Sequence, residues 1–503
     1  MGEIYWNQQT GFPLLGFMQV LPLAGGWLLL WLRNRAWAVH LARLTAVVEL
    51  GLAVALYLNF DAHNPAAQFA EYGDLLGPLS YHVAADGLSV LFVLLVTVLI
   101  ALLVLAGALR GEADAGLRLM WLLGIEGALV SMFLSVNLLW FILASVVEIG
   151  LLGQLLGAWG AGPEPRSVQR KFYQFQYAGL LLCFAGLLMV AWSYGYSTHG
   201  AMSFDLMDLK QVPVVRSFRN LAFLLLCLGV AVRVPLFPVH GWLPVVMRQG
   251  DIAAPLLLLG ANVGLYVLLR FVLVLLPTTA LAWRQAVAAV AVVGVFYGLV
   301  FVLQQRNLRG LLTFAALSHA ALIVLGVFSL DAASLAGTAL MTAYAGLAFA
   351  VMLLMLGRIY WRARSTDLRA IGLAERVPVL GVVFMAGGVA LIGLPGTPGF
   401  DAMHGLLEGA ILPLGSLTTI AAAAGNAVAM GFLLWAFRRA FFAAPAALAE
   451  AEPARPEVEA MAPMEYLLAS IACAILLAAG YYMAPWAELV ATPMQALSLR
   501  FGY

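Results

Sequence analysis

Apolar residues run through this chain in blocks of about 20, separated by short polar stretches. A helix of about 20 residues spans the hydrocarbon core of a bilayer, so each block reads as a crossing. The pattern predicts spans near 14–32, 37–58, 87–109, 117–136, 138–159, 173–194, 218–245, 253–277, 281–304, 308–329, 332–361, 378–413, 415–437 and 464–485. The seventh and twelfth are too long for one straight crossing and carry prolines. Proline removes a backbone donor and clashes with the preceding turn. The seventh breaks at Arg233-Val-Pro-Leu-Phe-Pro-Val-His240, through Pro235 and Pro238. The twelfth breaks at Gly393-Leu-Pro-Gly-Thr-Pro-Gly-Phe400, through Pro395 and Pro398. Within a bilayer the freed carbonyls need protein or water partners. Broken helices five spans apart predict two inverted five-helix repeats, spans 4–8 and 9–13, with an ion path near the midplane. The plainer reading is a pair of kinks used only for packing.

The expected fold is therefore an all-α integral membrane protein of about fourteen transmembrane helices, forming one polytopic domain over 1–503. Its parts are N-terminal helices 1–3 (14–116), a first repeat (117–277), a second repeat (281–437), and a loop with helix 14 (438–503). Composition agrees. The chain is 64% hydrophobic and 10% charged, against about 25% charged in soluble domains. Loop charge tests the count. If the loop with Arg33 and Arg35 is cytoplasmic, alternation puts Arg110, Arg118, Arg166, Arg170, Lys171, Arg248, Arg306, Arg309, Arg358, Arg362, Arg364, Arg369, Arg376, Arg438, Arg439 and Arg455 on that side too. These are most of the 26 basic residues. The positive-inside rule then places both termini outside, in a bacterial inner (cytoplasmic) membrane. A net charge of +1 gives no footing for nucleic acid. Cys183, Cys227 and Cys473 all lie in apolar runs and read as small core residues. No metal or other cofactor is expected, and no signal peptide.

Ionisable residues inside spans are costly and usually functional. Glu148 in span 5 and Arg233 at the span 7 break can neutralise each other, either as a static pair or as a field along a proton path. His319 in span 10 is a proton relay or a hydrogen-bonded core histidine. His240, after the break, reads more as a structural or gating residue. Asp401, His404 and Glu408 follow the span 12 break at spacings that share a helix face, as a proton exit or a solvated helix end. Glu126 in span 4 is a further candidate. Asn262, Gln154, Asn137 and Asn426 can hold water or bridge helices.

The segment Val232-Arg-Val-Pro-Leu-Phe-Pro-Val-His-Gly-Trp-Leu-Pro244 resembles the signature of the antiporter-like subunits of respiratory complex I and the Mrp antiporters, subunit M of NADH-quinone oxidoreductase most of all. Asp86-Gly-Leu-Ser89, Asn307 to Leu325 with Ser318-His319, Ser365-Thr-Asp367 and the span 12 break also resemble family segments. The resemblance implies fourteen helices, inverted repeats and ion translocation, with redox centres in other subunits. Departures follow from the same alignment. The family's span 5 glutamate falls on Val146, two residues before Glu148. Two residues turn a helix by roughly 200°, so Glu148 is expected to face elsewhere unless a bulge or gap restores it. The family's lysines fall on Arg233 and Asn262, and its span 12 glutamate on Met403. The chain's two lysines, Lys171 and Lys210, are both in loops. Arginine stays charged and asparagine does not titrate, so a lysine relay cannot operate here.

Three readings follow. One is a proton-translocating antiporter-like subunit of a complex I-like assembly, a non-redox subunit of a translocase with a rearranged or lost path. Another is the membrane ion-channel partner of an inorganic-carbon (CO₂/bicarbonate) uptake complex. The last is a non-pumping structural anchor. The expected partners are other membrane subunits, the lipid bilayer, and a soluble redox or carbonic-anhydrase-like subunit.

Overall fold

A computed structural model describes residues 2–32, 37–107, 115–160, 163–363, 365–368, 373–374, 376–442 and 459–502. The expected charges at Arg33, Arg35, Arg110, Arg364, Arg369 and Arg455 lie outside them. Among the described residues, twelve helices are long and apolar enough to cross a membrane. The first six are α1 (Leu14–Leu32), α2 (Trp37–Asn59), α3 (Gly87–Gly107), α4 (Ala115–Leu134), α5 (Leu138–Trp159) and α6 (Pro165–Thr198).

The seventh span is two helices, α7 (Arg216–Arg233) and α8 (Leu243–Gln249), separated by the proline-rich break. The next is irregular as well. It runs α9 (Ala253–Gly260), α10 (Val263–Val267) and a π-helical turn (Leu268–Val272). The interruption falls at Asn262, whose φ is +35°. No proline marks it, so the apolar pattern alone showed an unbroken run. The chain continues as α11 (Pro277–Leu303), α12 (Leu308–Val327) and α13 (Ala332–Ala363). The twelfth span is α14 (Pro378–Ile392) and α15 (Pro398–Leu414), followed by α16 (Ser416–Phe441) and α17 (Pro463–Tyr481).

Two features depart from the sequence expectation. The polar stretch between α2 and α3 folds as a hairpin, β2 (Ala67–Leu76) and β3 (Leu79–Ala85). Its turn is Gly77-Pro78, with Gly77 at φ +56°, and the N-terminal β1 (Glu3–Tyr5) pairs parallel with β2. The last expected span instead ends at Tyr481, and a further helix, α18 (Ala484–Ser498), follows. It lies across the ends of other spans. Thr492 bonds to the carbonyl of Ala62, and the Leu489 carbonyl sits where any side chain on Gly87 would project. Glycine in Asp86-Gly-Leu-Ser89 is what lets α18 lie on the start of α3.

Close packing holds the first half together. α6 and α7 meet through Gly179, Gly186 and Gly229; a Cβ on Gly229 would stand 2.5 Å from the Gly179 carbonyl oxygen. Small residues let membrane helices approach to backbone contact. The basic end is tied by arginines. Arg118 forms a buried pair with Asp251 at 2.8 Å. Arg309 donates to the Arg248 carbonyl, Arg358 to that of Ala106, and Arg362 pairs with Glu465 at 2.5 Å.

The opposite end is closed by His82 on β3. Its Nδ1 bonds Asp205. Its Nε2 lies 2.9 Å from Glu3 Oε1, an ion-pair distance. Burial works against the imidazolium, but Asp205 and Glu3 outweigh it and hold its pKa up at about 9. The charge thus stabilises the fold fully below the ordinary value of about 6.5 and is lost as pH rises through 9. His82→Asn is expected to lower stability by about 2 kcal/mol at pH 6.5. Thermal unfolding from pH 6 to 10 checks this: the wild-type advantage should shrink as pH rises above about 6.5 and be gone above about 9.

Candidate functional site

α5 is a regular helix whose buried stripe includes Ala144, Ser145, Glu148, Ile149 and Leu152. That spacing puts Glu148 on the inner face at 2% exposed, while Val146 is 42% exposed. The expectation that Glu148 faces away is therefore corrected. No bulge is involved: the inward position belongs to residue 148, and a carboxylate at 146 would point out of the bundle. Glu148 Oε2 accepts from Arg233 Nη2 at 2.8 Å, with both side chains buried. Arg233 is the last residue of α7, so the break leaves its guanidinium at the helix end. The Trp242 indole donates to the Val232 carbonyl at 2.9 Å, filling an acceptor that the break releases. Arg233 Nη1 makes no hydrogen bond.

Asn262 lies on the far side of this break. It caps α10 through its side-chain oxygen, and neighbouring Gly264 packs against Arg233 and Val234. His240 reaches the second half of the bundle, where its Nε2 is 3.2 Å from the Tyr297 hydroxyl on α11. Tyr297 is next to Gly298, which packs directly on Ser318 of α12. His319, buried at 1%, is therefore one residue from the same contact; its Nδ1 is 3.3 Å from the Asn426 carboxamide. His240 Nδ1 and His319 Nε2 are both buried without a partner. Three polar pairs thus follow one another, Glu148–Arg233 and His319–Asn426 buried and His240–Tyr297 half-buried between them in the chain of contacts, each with an atom left unbonded among the described residues.

Other expected residues are placed elsewhere. Asp401, His404 and Glu408 share one face of α15, but that face is turned out of the protein. His404 and Glu408 lie 3.5 Å apart, with side chains 70% and 69% exposed. The span 12 break also faces outward: Leu394 is 45% exposed, and Pro395 is exposed too. The expectation that both breaks line an interior path is corrected to one. Pro398 begins α15. Gln154 is exposed, and Asn137 serves as the cap of α5, bonding Ser80 as well.

Glu126 is fully buried with neither carboxylate oxygen bonded, and it belongs with a residue the sequence reading passed over, Glu49 of α2. Glu49 is likewise fully buried and unbonded, and the two carboxylates act on each other. Gly124 packs on Leu151, which sets Glu126 at the depth of Glu148, yet no contact joins them among the described residues. Glu49 sits in an apolar run, the signal that drew attention to Glu126. Tyr297 carried no such signal, because an aromatic at helical spacing reads as core.

The transmembrane signature described as NADH:quinone oxidoreductase/Mrp antiporter matches residues 135–428, more than half of the chain and all three polar pairs. The chain belongs to that family. This antiporter-like membrane protein is 28% identical over 421 residues to NADH-quinone oxidoreductase subunit M of Rhodobacter capsulatus, covering 82% of this chain and 81% of the relative. Its fold matches a chain of respiratory complex I from Thermus thermophilus at a TM-score of 0.85 and 24% identity, over 97% of this chain and 100% of that one. It also matches a chain of the Mrp complex from Dietzia sp. DQ12-45-1b at a TM-score of 0.80 and 19% identity, over 96% and 97%.

Two substitutions separate the energetics of these carboxylates. Arg233→Leu strands a buried charge and is expected to cost about 3–5 kcal/mol, most of it recovered in Glu148→Leu/Arg233→Leu. Glu126→Leu removes a buried carboxylate that has no donor and is expected to stabilise by about 1–3 kcal/mol. Unfolding midpoints of the purified chain in detergent report both.

Proposed function

We propose that this antiporter-like protein is a proton-translocating membrane subunit of a complex I-like or Mrp-like assembly. Its path uses Glu148, His240 and His319 as the titrating groups. The observation that carries this reading is the buried Glu148–Arg233 pair at the span 7 break, with both histidines reached along the same interior. Arg233 stays protonated and cannot pass a proton on. Its role here is to hold a fixed positive field beside Glu148. Asn262 supplies a polar lining where the helix is interrupted. The unbonded atoms of Arg233, His240 and His319 are sites that water satisfies, since buried polar groups take ordered water when protein offers no partner. Water between the three pairs makes one hydrogen-bonded route through which an imidazole or carboxyl can hand on a proton.

The proposed topology is fourteen crossings, with spans 4–8 and 9–13 as inverted repeats, in a bacterial inner membrane with both termini outside. The ends of the chain support an even number. Glu3 meets His82 beside Asp205, and Arg500 acts on Lys210 a few residues further on, so both ends share one face. The neighbouring proteins belong to multi-subunit assemblies, and we place another membrane subunit against the outward face of α15. Asp401, His404 and Glu408 would otherwise set charge against lipid, which costs several kcal/mol. A soluble redox-bearing partner elsewhere in the assembly would supply the driving reaction. Relatives among quinone reductase subunits favour this over an inorganic-carbon partner. The polar pairs favour it over a dry anchor.

Glu148→Gln and His319→Ala in the intact assembly are each expected to reduce coupled proton translocation by about tenfold or more, while Gln154→Ala on the outer face leaves it unchanged. Proton uptake by reconstituted vesicles measures this. Wild-type flux in both path variants would overturn the proposal.

A further inference from the structure

Beneath α18 lies an open-mouthed cavity of about 100 Å³ that belongs to no part of the proposed path. Three cations line it, Lys210, Arg270 and Arg500, with Asp86 as the single acid. Asp86 is already engaged. It caps α3 through Ser89 and pairs with Arg270. Arg270 sits on the π-helical turn, a local irregularity that often marks functional positions. It is nine-tenths buried, and its Nε has no hydrogen-bond partner. Among the described residues Lys210 Nζ bonds the soft sulfur of Met207, and Arg500 spends one N–H on the Val274 carbonyl. Glu3 and Asp205, which also act on Lys210, are held by His82. The pocket therefore carries unspent positive charge.

The rest of its wall is apolar, including Leu206, Leu269, Met494 and Leu497. Its roof, α18, lies over the ends of α2 and α3, and the residues at either end of that helix are strongly exposed: Tyr481 at 92%, Tyr482 at 67% and Leu499 at 67%. Exposed tyrosines at the start of a helix that crosses span ends mark the headgroup level of a bilayer. A ligand suited to this site carries a phosphate for the cations and a hydrocarbon tail for the wall.

We propose that the pocket under α18 binds the phosphate headgroup of an anionic phospholipid, held by Lys210, Arg270 and Arg500. Charge-assisted hydrogen bonds from guanidinium and ammonium groups to phosphate are among the strong ones. The site rests on this geometry alone and stands or falls apart from the proton path.

The test titrates the purified full chain, stripped of lipid in a neutral detergent, with phosphatidylglycerol, phosphatidylcholine or inorganic phosphate. Bound lipid is counted by native mass spectrometry. Phosphatidylglycerol is expected to bind about tenfold more tightly than phosphatidylcholine, and Lys210→Gln/Arg500→Gln to remove that preference. Both side chains are at the pocket mouth, so the double variant spares the Asp86–Arg270 pair. Lys210→Arg should retain binding, and Arg438→Gln/Arg439→Gln, at the opposite end, should leave it unchanged. Equal binding of the two lipids, or a double variant that binds phosphatidylglycerol like wild type, overturns the proposal. Inorganic phosphate displacing phosphatidylglycerol at equal concentration would assign the site to a free anion and overturn it as a lipid site.

Discussion

The Glu148 carboxylate and the Arg233 guanidinium meet 2.8 Å apart inside an apolar bundle, and each replaces some of what the other lost on leaving water. Their attraction offsets the desolvation cost only if geometry is good and the surroundings stay fixed. Much of the first half serves that condition. The stripe on α5 aims Glu148 inward. The break after α7 ends the helix at Arg233, and Trp242 fills the Val232 acceptor. Gly264 lets the start of α10 back directly onto the pair. Moving any of these would separate two charges in a medium that cannot solvate them.

The apolar blocks made the spans readable, because hydrocarbon admits few solutions to backbone hydrogen bonding. What the blocks could not show is structure that lies in the water-facing layers. β2 and β3 pair through alternation too short to stand out beside 20-residue runs, and α18 is amphipathic enough to read as a tail. The interruption at Asn262 was hidden for the opposite reason. It has no proline, and its turning residue is a left-handed asparagine between two helical glycines, Gly260 and Gly264. Glu148 shows how an alignment can mislead where a helix does not. Counting from family motifs put the carboxylate two residues out, and the run around it is apolar on every side, so only the folded helix shows that residue 148 faces inward.

The two proline breaks look alike as strings and differ as structures. At 233–242 the chain crosses the interior and orients an arginine and a histidine. At 393–397 it sits on the outside, with positive-φ glycines at 393 and 396 and exposed neighbours. The polar chemistry of the second half has accordingly moved to α12 and α16, in His319 and Asn426, and the charges after the break look outward. A sequence repeat predicts where a helix is interrupted, but burial decides whether the interruption faces a path.

The glycine seam between α6 and α7 has a mechanical consequence. With backbones in contact at Gly179 and Gly229, α7 cannot slide or rotate without its neighbour, so Arg233 is mounted on a stator. The segment beyond it, from Val234 to Trp242, is backed by such a glycine only at its start, Gly264 against Val234 among the described residues, and leads into the short α8. Any stroke that changes the spacing between Glu148 and His240 must therefore come from one side of the break. Arg233 is the fixed point of that geometry.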